Sequence, residues 1–327
     1  MQLRILNAGA IRELLPMDRC IRLMRRAFEM VATGETNQPI RQSLRTPDGR
    51  GLLGWMPGHT QAPDWLGIKV ITVYPGNFGT AFGSHQGALL LFETLHGAPV
   101  ALLDAREVTA IRTAAATAAA TDALAPRTVR SLGILGYGEQ AATHIDALLR
   151  VRPFDIVWIW GRDARRAERF AAQAAERHAA RVIAVEHAAD AARADVVCTL
   201  TAASDPIVHG AWLHAGQHLN LVGSSVPTTS EVDEETIARG RLFADFRESA
   251  LALGGEHRRA REKGLVTDEA ILGCVGDVLT GKVPARLSPT DITIFKSLGM
   301  ASEDLVAADF VLSEAVRLGV GVLIDWS

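Results

Sequence analysis

The pattern of hydrophobic and polar residues changes its character twice along the chain. After a short apolar run at 3–6, apolar residues recur at helical spacing as far as Gly34, which predicts a helix that ends there. From Ile40 to Val100, strand-like runs separated by turn residues predict a sheet built largely from hairpins. Helical spacing returns over the alanine-rich segment 106–123, which we interpret as the crossing between two domains.

Predicted strands and helices alternate after that crossing. Apolar runs predict strands at 132–136, 155–160, 181–186, 195–200, 218–223 and 241–245, with helices at 139–150, 163–178, after 186 and after 231. This alternation predicts an α/β fold with a doubly wound parallel sheet. Further helices are predicted at 249–264, 269–281 and 297–318. The last is expected to pack on the N-terminal sheet, which gives predicted domains of 1–123 with 298–327, and 124–297.

The segment SLGILGYGEQAATHIDALLR at 131–150 predicts a strand, a tight turn and a helix. Gly136 would allow the sharp bend, Gly138 a close approach to a pyrophosphate, and Ala141 the packing of helix on strand. The N–H groups and the dipole at the start of the helix favour a bound phosphate. With the alternating units that follow, this segment predicts a dinucleotide-binding site.

The end of the second predicted strand carries information about which dinucleotide binds. Trp160 and Gly161 are followed by Arg162 and then Asp163. An acidic residue here bonds the ribose hydroxyls of NAD, whereas an arginine pairs with the 2′-phosphate of NADP. Asp163 is favoured as the N-cap of the next helix over a ribose contact. Arg162 therefore predicts NADPH in preference to NADH, and a solvated loop residue is its alternative interpretation.

The amino-acid composition is that of an ordinary globular protein. The chain has 327 residues, of which 48% are hydrophobic and 22% charged, enough to form two domains with sizeable cores. Its formal net charge of -3 gives no reason to expect a nucleic acid or an anionic membrane as partner. The cysteines are favoured as core residues of a protein in a reducing compartment, because Cys20, Cys198 and Cys274 form no CxxC motif. Without an apolar segment typical of a signal peptide or membrane span, the cytoplasm is the expected location.

Lys69 is the most unusual charged residue in the chain, because it lies within the apolar run WLGIKVITV. Such a lysine either extends to solvent at an edge or faces a polar cavity, since an unpaired buried ammonium is costly. Arg45 and Arg112, each taken alone, are favoured as surface residues. Together, one lysine and two arginines near a nicotinamide would form a site for a carboxylate.

Two other kinds of site are disfavoured by the pattern. His214 and His218 have metal-like spacing, but Gly216 interrupts the helix that this spacing needs and no carboxylate stands nearby, so no metal site is predicted. The segment GSHQG at 83–87 departs from GxSxG, which disfavours a serine hydrolase.

The chain resembles the ornithine cyclodeaminase and mu-crystallin family over nearly its whole length. The resemblance rests on GIKVITVYPGN at 67–77, SHQGALLLFE at 84–93, ALLDAREVTAIRTAAATAAAT at 101–121, GILGYGEQA at 133–141, LNLVGSSVP at 219–227 and IFKSLGMASEDLVAADF at 294–310. It implies a homodimer whose Rossmann domain is joined to a discontinuous α+β domain for substrate binding and dimerisation.

The resemblance also implies roles for individual residues. Substrate carboxylate would be bound by Arg45, Lys69 and Arg112. The cofactor would be lined by Ser84, Thr113, Glu139, Gln140, Arg162, Thr201, Val222, Gly223 and Ser297, in addition to the glycine turn. Ornithine cyclodeaminases carry Asp where this chain has Ser225, and a serine hydroxyl is a poor general base near neutral pH. The ketimine reductase branch has serine there and favours NADPH.

These observations lead to the hypothesis of an NADPH-dependent imine reductase that acts on small 2-imino carboxylates. Cyclic ketimines such as Δ1-pyrroline-2-carboxylate and Δ1-piperideine-2-carboxylate would be its substrates. Lys69, Arg112 and Ser225 would form the catalytic set, with NADH as a second possible cofactor. Three alternatives stay open: a reductive aminase like alanine dehydrogenase, a diverged ornithine cyclodeaminase, and an NADPH-binding protein without turnover.

Overall fold

A computed structural model describes residues 2–77, 80 and 82–326, which form two compact units. One unit comprises Met1–Thr113 with Met300–Ser327, and the other comprises Ala114–Gly299. The first unit is therefore discontinuous in sequence. The division falls inside the predicted crossing helix rather than at its end, and the roles assigned to the two domains stay a prediction.

The strands of the described residues are β1 Gln2–Leu6, β2 Thr36–Asn37, β3 Gln42–Arg45, β4 Leu52–Gln61, β5 Asp64–Val73, β6 His85–Phe92, β7 Pro99–Asp104, β8 Ser131–Leu135, β9 Ile156–Trp160, β10 Arg181–Ala184, β11 Val196–Thr199, β12 His218–Leu221, β13 Gly240–Ala244, β14 Ile271–Cys274, β15 Ile292–Lys296 and β16 Val322–Asp325. The α-helices are α1 Ala8–Leu14, α2 Met17–Thr33, α3 Ala105–Leu124, α4 Glu139–Val151, α5 Ala164–Ala175, α6 Ala188–Ala192, α7 Glu234–Arg239, α8 Arg247–Leu253, α9 Gly255–Glu262, α10 Val275–Leu279 and α11 Ala301–Leu318.

The first unit is built on a mixed sheet, and α11 packs on one of its faces. Its strand order is β16-β1-β7-β6-β5-β4-β2, with β3 paired to β4, and β3 to β7 are joined by antiparallel pairs as predicted. Alternate residues such as Met56, Lys69 and Leu89 are buried on the inner face, which α11 covers. The alternate outer residues, among them Ile68 and Leu90, are only half-buried.

Two glycines allow α11 to lie close to this sheet. Gly58 and Gly67 are directly opposite each other on β4 and β5. A Cβ added to Gly58 would lie 2.6 Å from the Cβ of Ala301, and one added to Gly67 would lie 2.4 Å from Cδ2 of Leu305. Side chains at either position would therefore push the first turns of α11 away from the strands.

The second unit is the predicted doubly wound α/β fold. Its eight strands are all parallel, in the order β10-β9-β8-β11-β12-β15-β13-β14. The order reverses between β8 and β11, where α4 and the loops that follow these strands lie at the carboxyl edge. In such sheets this switch point is where ligands bind.

Several predicted elements after residue 245 are wrong. Residues 271–274 of the predicted helix 269–281 form β14, because a short apolar run is compatible with either structure and pairing with β13 decides between them. The predicted helix 249–264 is broken at Gly254 into α8 and α9. The last helix begins at Ala301 rather than 297, after Gly299 at φ 81°. Strands β15 and β16 were not predicted.

None of the helices in the described part of the chain combines the length and the apolar character needed to cross a bilayer.

Candidate active site

Lys69 is buried in the first unit and paired with an acid. It lies on β5, with Met56 and Leu89 opposite it on the neighbouring strands, and its side chain is 1% exposed. Its Nζ lies 2.7 Å from Oδ2 of Asp304, in the first turn of α11. Lys69 therefore does not extend to solvent at an edge of the sheet.

Arg112 joins the same cluster from α3. Its Nε donates to Oδ1 of Asp304 at 2.9 Å, and its Nη1 donates to Oε2 of Glu303 at 2.7 Å. The side chain of Arg112 is 5% exposed, so its interpretation in isolation as a surface residue is wrong. The cluster comprises Lys69, Arg112, Glu303 and Asp304, two cations and two acids whose formal charges balance.

Burial changes the acidity of the lysine. Burial and then the nearby charge of Arg112 lower the pKa of Lys69 to about 8, while Asp304 and Glu303 oppose that change. An amine with this pKa is still mainly protonated at neutral pH and can exchange its proton within a catalytic cycle. Lys69 can therefore pair with an anion and also take part in proton transfer.

The structure does not bring Arg45 into this cluster. Arg45 lies opposite Leu52, which lies opposite Val73 on β5, so Arg45 is on the same face of the sheet as Lys69. Val73 is four residues along β5 from Lys69, about 13 Å at the usual rise of a strand. Arg45 is exposed, and within the described part of the chain no acid pairs with it. Its role in binding a carboxylate stays a prediction.

Each small residue of the predicted dinucleotide turn has the geometry that its role needs. Gly136 is at φ 132°, and a Cβ there would lie 2.7 Å from the carbonyl oxygen of Leu200. Gly138 caps α4, and apart from its chain neighbours no heavy atom of the described residues lies within 4 Å of the place where its Cβ would be. Ala141 is completely buried against the sheet. The backbone at the N-terminus of α4 is thus open to a pyrophosphate, flanked by Glu139 and Gln140 in the first turn.

The ring of Tyr137 lies against Gly161, the residue that follows β9. A Cβ added to Gly161 would lie 2.2 Å from the Tyr137 ring, and the guanidinium of Arg166 lies over that ring at 5.1 Å from its centroid. Arg162 is exposed beside this group. Asp163 accepts a hydrogen bond from the backbone N–H of Arg166 at 3.1 Å, which confirms that it caps α5.

The remaining predicted site residues lie in two places. Thr201, Val222, Gly223, Ser225 and Ser297 follow β11, β12 and β15 directly, at the carboxyl edge of the parallel sheet. In the first unit, Thr113 follows Arg112 on α3, and Oγ of Ser84 lies 3.0 Å from Nδ1 of His85. Contact of these residues with a cofactor stays a prediction.

The sequence analysis missed all five acids that are buried among the described residues, of which Glu231, Glu303 and Asp304 matter most to the site. Glu303 and Asp304 were interpreted as part of a helix, and Glu231 as the residue before another helix, although all three are almost completely buried. Glu303 and Asp304 are in the first turn of α11, where acids are common because they stabilise the N-terminus, so their sequence context gives no distinguishing signal. The one available clue was indirect: a buried Lys69 needs a counter-ion.

His218 and the three cysteines are buried among structural neighbours. His218 is buried, with Nδ1 2.9 Å from Oγ1 of Thr293 and Nε2 3.2 Å from Oδ1 of Asn220. Cys20, Cys198 and Cys274 are buried free thiols. Across residues 2–77, 80 and 82–326, no three His, Cys, Asp or Glu side chains are grouped as a metal site requires.

Comparison with known proteins gives matches along the whole chain. The family model described as the ornithine cyclodeaminase/mu-crystallin family matches residues 1–318. Ketimine reductase mu-crystallin of Mus musculus is 39% identical over 285 residues, which cover 87% of each chain.

Two solved structures are similar over nearly all of both chains. The Δ1-pyrroline-2-carboxylate reductase of Thermococcus litoralis, in complex with NADH and L-proline, has a TM-score of 0.94 and 29% identity, covering 98% of this chain and 99% of that one. An archaeal alanine dehydrogenase dimer with bound NAD has a TM-score of 0.93 and 29% identity, covering 100% of both.

Replacing Asp304 by Asn is expected to destabilise the first unit strongly. The change leaves two buried cations with one acid, and breaking a buried ion pair in this way costs about 3–5 kcal/mol. Asp309→Asn on the same helix is the matched control, because Asp309 accepts one hydrogen bond from the neutral Nε1 of Trp65 at 2.7 Å. Its cost should be about 1 kcal/mol. Thermal and urea unfolding measure both, and equal losses would contradict the role given to Asp304.

Proposed function

The chain belongs to the ornithine cyclodeaminase/mu-crystallin family, and we propose that it is an NADPH-dependent reductase of small 2-imino carboxylates. Its substrates are cyclic ketimines, Δ1-pyrroline-2-carboxylate or Δ1-piperideine-2-carboxylate, which it reduces to L-amino acids. The observation that carries this proposal is the buried ammonium of Lys69 beside Arg112, within a chain that also has an open dinucleotide turn. The similarity to a ketimine reductase and to a Δ1-pyrroline-2-carboxylate reductase supports it.

The substrate carboxylate is bound by the cations of the first unit. The ammonium of Lys69 has three N–H donors. Among the described residues, Asp304 is the one acid that pairs with it. Since the charges of the cluster already balance, the exposed guanidinium of Arg45 supplies the additional positive charge that a carboxylate needs. The bound anion stabilises the protonated form of Lys69, which thus stays available to donate a proton at Nζ.

The cofactor is held by the second unit. When bound, the reduced nicotinamide supplies the hydride that adds to the carbon of the C=N bond. Gly136, Gly138 and the N-terminus of α4 bind the pyrophosphate, and Arg162 pairs with the 2′-phosphate. The two solved relatives carry NADH and NAD, so the preference for NADPH rests on Arg162. The remaining cofactor contacts that we propose are Ser84, Thr113, Glu139, Gln140, Thr201, Val222, Gly223 and Ser297.

Ser225 orients the substrate rather than acting as a base. Its half-buried hydroxyl donates to the imine nitrogen or to a water that the nitrogen binds. A hydroxyl cannot remove a proton efficiently near neutral pH without a neighbouring base. This distinguishes the proposed reductase from a cyclodeaminase, which has a carboxylate at this position.

A second candidate function is reductive amination of pyruvate with free ammonia. The similarity to an archaeal alanine dehydrogenase favours it. The two functions differ in whether the C=N bond is already present in the substrate. Oxidation of NADPH with pyruvate and ammonium, compared with oxidation on Δ1-pyrroline-2-carboxylate, separates them.

We also propose that the protein is a cytoplasmic homodimer in which the outer face of the first unit's sheet is covered. Trp55, Ile68, Val70, Leu90 and Phe92 are half-buried on that face, opposite to the face on which α11 packs. Such an apolar surface favours association. The alanine dehydrogenase relative is a dimer. Light scattering after gel filtration measures the mass in solution.

Substrate and site are tested together with Lys69→Met. The wild type should oxidise NADPH on Δ1-pyrroline-2-carboxylate and form proline, whereas loss of the ammonium should lower turnover by roughly 10²–10⁴-fold. NADPH affinity, measured by fluorescence titration, should change little. Lys263→Ala, which removes an exposed lysine paired with Glu234, is the control and should keep wild-type rates. Near-normal turnover in Lys69→Met would disprove the assigned site.

The rate should fall at alkaline pH because Lys69 loses its proton. With a pKa of about 8 in the free enzyme, kcat/KM for the imino acid should be maximal below pH 8 and decline about tenfold per pH unit above it. Ionisation of the substrate would produce a similar decline of kcat/KM at alkaline pH. Asp304→Asn, assayed at a temperature below its own unfolding transition, distinguishes the two causes, because Asp304 raises the pKa of Lys69 and its removal should shift the decline to lower pH. A decline at the same pH in both proteins would assign it to ionisation of the substrate.

Arg162→Gln should alter the choice of cofactor. Loss of the pairing with a 2′-phosphate should lower kcat/KM for NADPH about 10–100-fold, the loss of one or two charge-assisted hydrogen bonds, and leave NADH nearly unaffected. Arg169→Gln on an exposed part of α5 controls for the loss of positive charge. Equal losses with both cofactors would remove the argument for NADPH.

A further inference from the structure

Glu231 is a completely buried carboxylate that accepts five hydrogen bonds. Its Oε1 accepts from the backbone N–H and from Oγ1 of Thr201, both at 2.7 Å. Its Oε2 accepts from Oγ1 of Thr199 at 2.7 Å and from the N–H groups of Gly223 at 2.8 Å and Ser224 at 3.2 Å. Burial raises its pKa, against the lowering effect of the bonds from Thr199 and Thr201.

These donors come from two loops that are far apart in sequence. Thr199 and Thr201 are at the end of β11, whereas Gly223 and Ser224 follow β12, its parallel neighbour. The loops pack so closely that a Cβ added to Gly223 would lie 2.2 Å from the carbonyl oxygen of Thr201 and 2.5 Å from Oε1 of Glu231. Backbone bonds from Val222 and Gly223 to the carbonyl oxygen of Thr199 also join the two loops, and the Glu231 side chain adds five more bonds between them at the carboxyl edge of the sheet.

A third strand holds the second loop from its other side. Nζ of the buried Lys296, the last residue of β15, donates to the carbonyl oxygen of Ser224 at 2.6 Å and to Oε1 of Glu256 at 2.9 Å. The N–H of Ser224 is bound by Glu231 and its C=O by Lys296. Ser225 thus directly follows a residue whose backbone N–H and C=O are both bound.

Only a carboxylate satisfies this arrangement of donors. Both oxygens of Glu231 face at least one backbone N–H, that of Thr201 or that of Gly223. An amide would place its own NH₂ against one of these donors, and neither group could accept the other's hydrogen. Glu231→Gln therefore keeps the volume of the side chain while it forces one loop to move.

We propose that Glu231 is a positioning residue that sets Thr201 and the segment 222–225 in the geometry required to bind the nicotinamide cofactor and to aim Ser225 at the substrate. The proposal rests on the proposed function, because the ligands of these loops are those of the reductase. Glu231 itself touches neither ligand. It acts through the loops that it joins.

The experiment compares Glu231→Gln with Asp195→Asn in the full-length protein. Asp195 is a matched control at the opposite edge of the same sheet, where its Oδ2 accepts from the N–H groups of Arg130 at 2.7 Å and Ser131 at 2.9 Å. Both variants should lower the melting temperature. Glu231→Gln alone should raise the dissociation constant for NADPH about tenfold, measured by fluorescence titration, and speed hydrogen exchange in peptides covering 199–204 and 221–226.

Kinetics provide a second readout. In Glu231→Gln, kcat and KM for NADPH should both deteriorate, while KM for the imino acid should change less, because Lys69 and Arg112 are untouched. Unchanged NADPH affinity and loop exchange, or equal effects in Asp195→Asn, would overturn the proposal. A wild type that binds NADPH but reduces no imino acid would refute the reductase function, while a selective loss of affinity in Glu231→Gln would still support Glu231's role toward the cofactor.

Thr199→Val covers the case in which Glu231→Gln fails to fold. It preserves the shape of a buried residue and removes one of the five donors, so it should weaken NADPH binding in the same direction by about threefold, less than the loss of a full hydrogen bond to a charged group. Wild-type affinity and wild-type loop exchange in this variant would contradict the proposal.

Discussion

The buried charges of Lys69 and Arg112 are the constraint on which the first unit depends. Neither cation could remain charged inside the protein without a partner, because the desolvation penalty of an unpaired ion is several kcal/mol. The partners, Glu303 and Asp304, are on a helix that is remote in sequence. Gly58 and Gly67 allow α11 to pack closely on the sheet, and this packing places both acids beside the two cations.

The second unit uses buried charge in a comparable way. Glu231 gathers donors from two loops, and Lys296 with Glu256 fixes one of those loops from the next strand. In both units, buried acids hold the groups that we propose to bind the ligands. Rigid support of this kind keeps binding groups in place before a ligand arrives, which lowers the entropic cost of binding.

The sequence predicted those features whose cause is local. Gly136 and Gly138 could be identified because a tight turn between strand and helix needs residues without side chains, and Lys69 because an ammonium in an apolar run requires an explanation. The counter-ions could not be identified, since Glu231, Glu303 and Asp304 have the same local context as ordinary surface acids. Strand β15 was missed because its cause is not local either. Its short run ITIF becomes a strand only because β12 and β13 lie on either side of it.

The discontinuity of the first unit has a consequence for how the protein is made. On the ribosome, residues 1–113 emerge long before α11, so Lys69 and Arg112 lack their acids throughout most of translation. The second unit, which is continuous, can complete its own sheet once residue 299 has emerged. A nascent chain truncated before α11 would contain a finished nucleotide fold tethered to an open sheet with two uncompensated cations, a state that cellular proteases and chaperones can recognise.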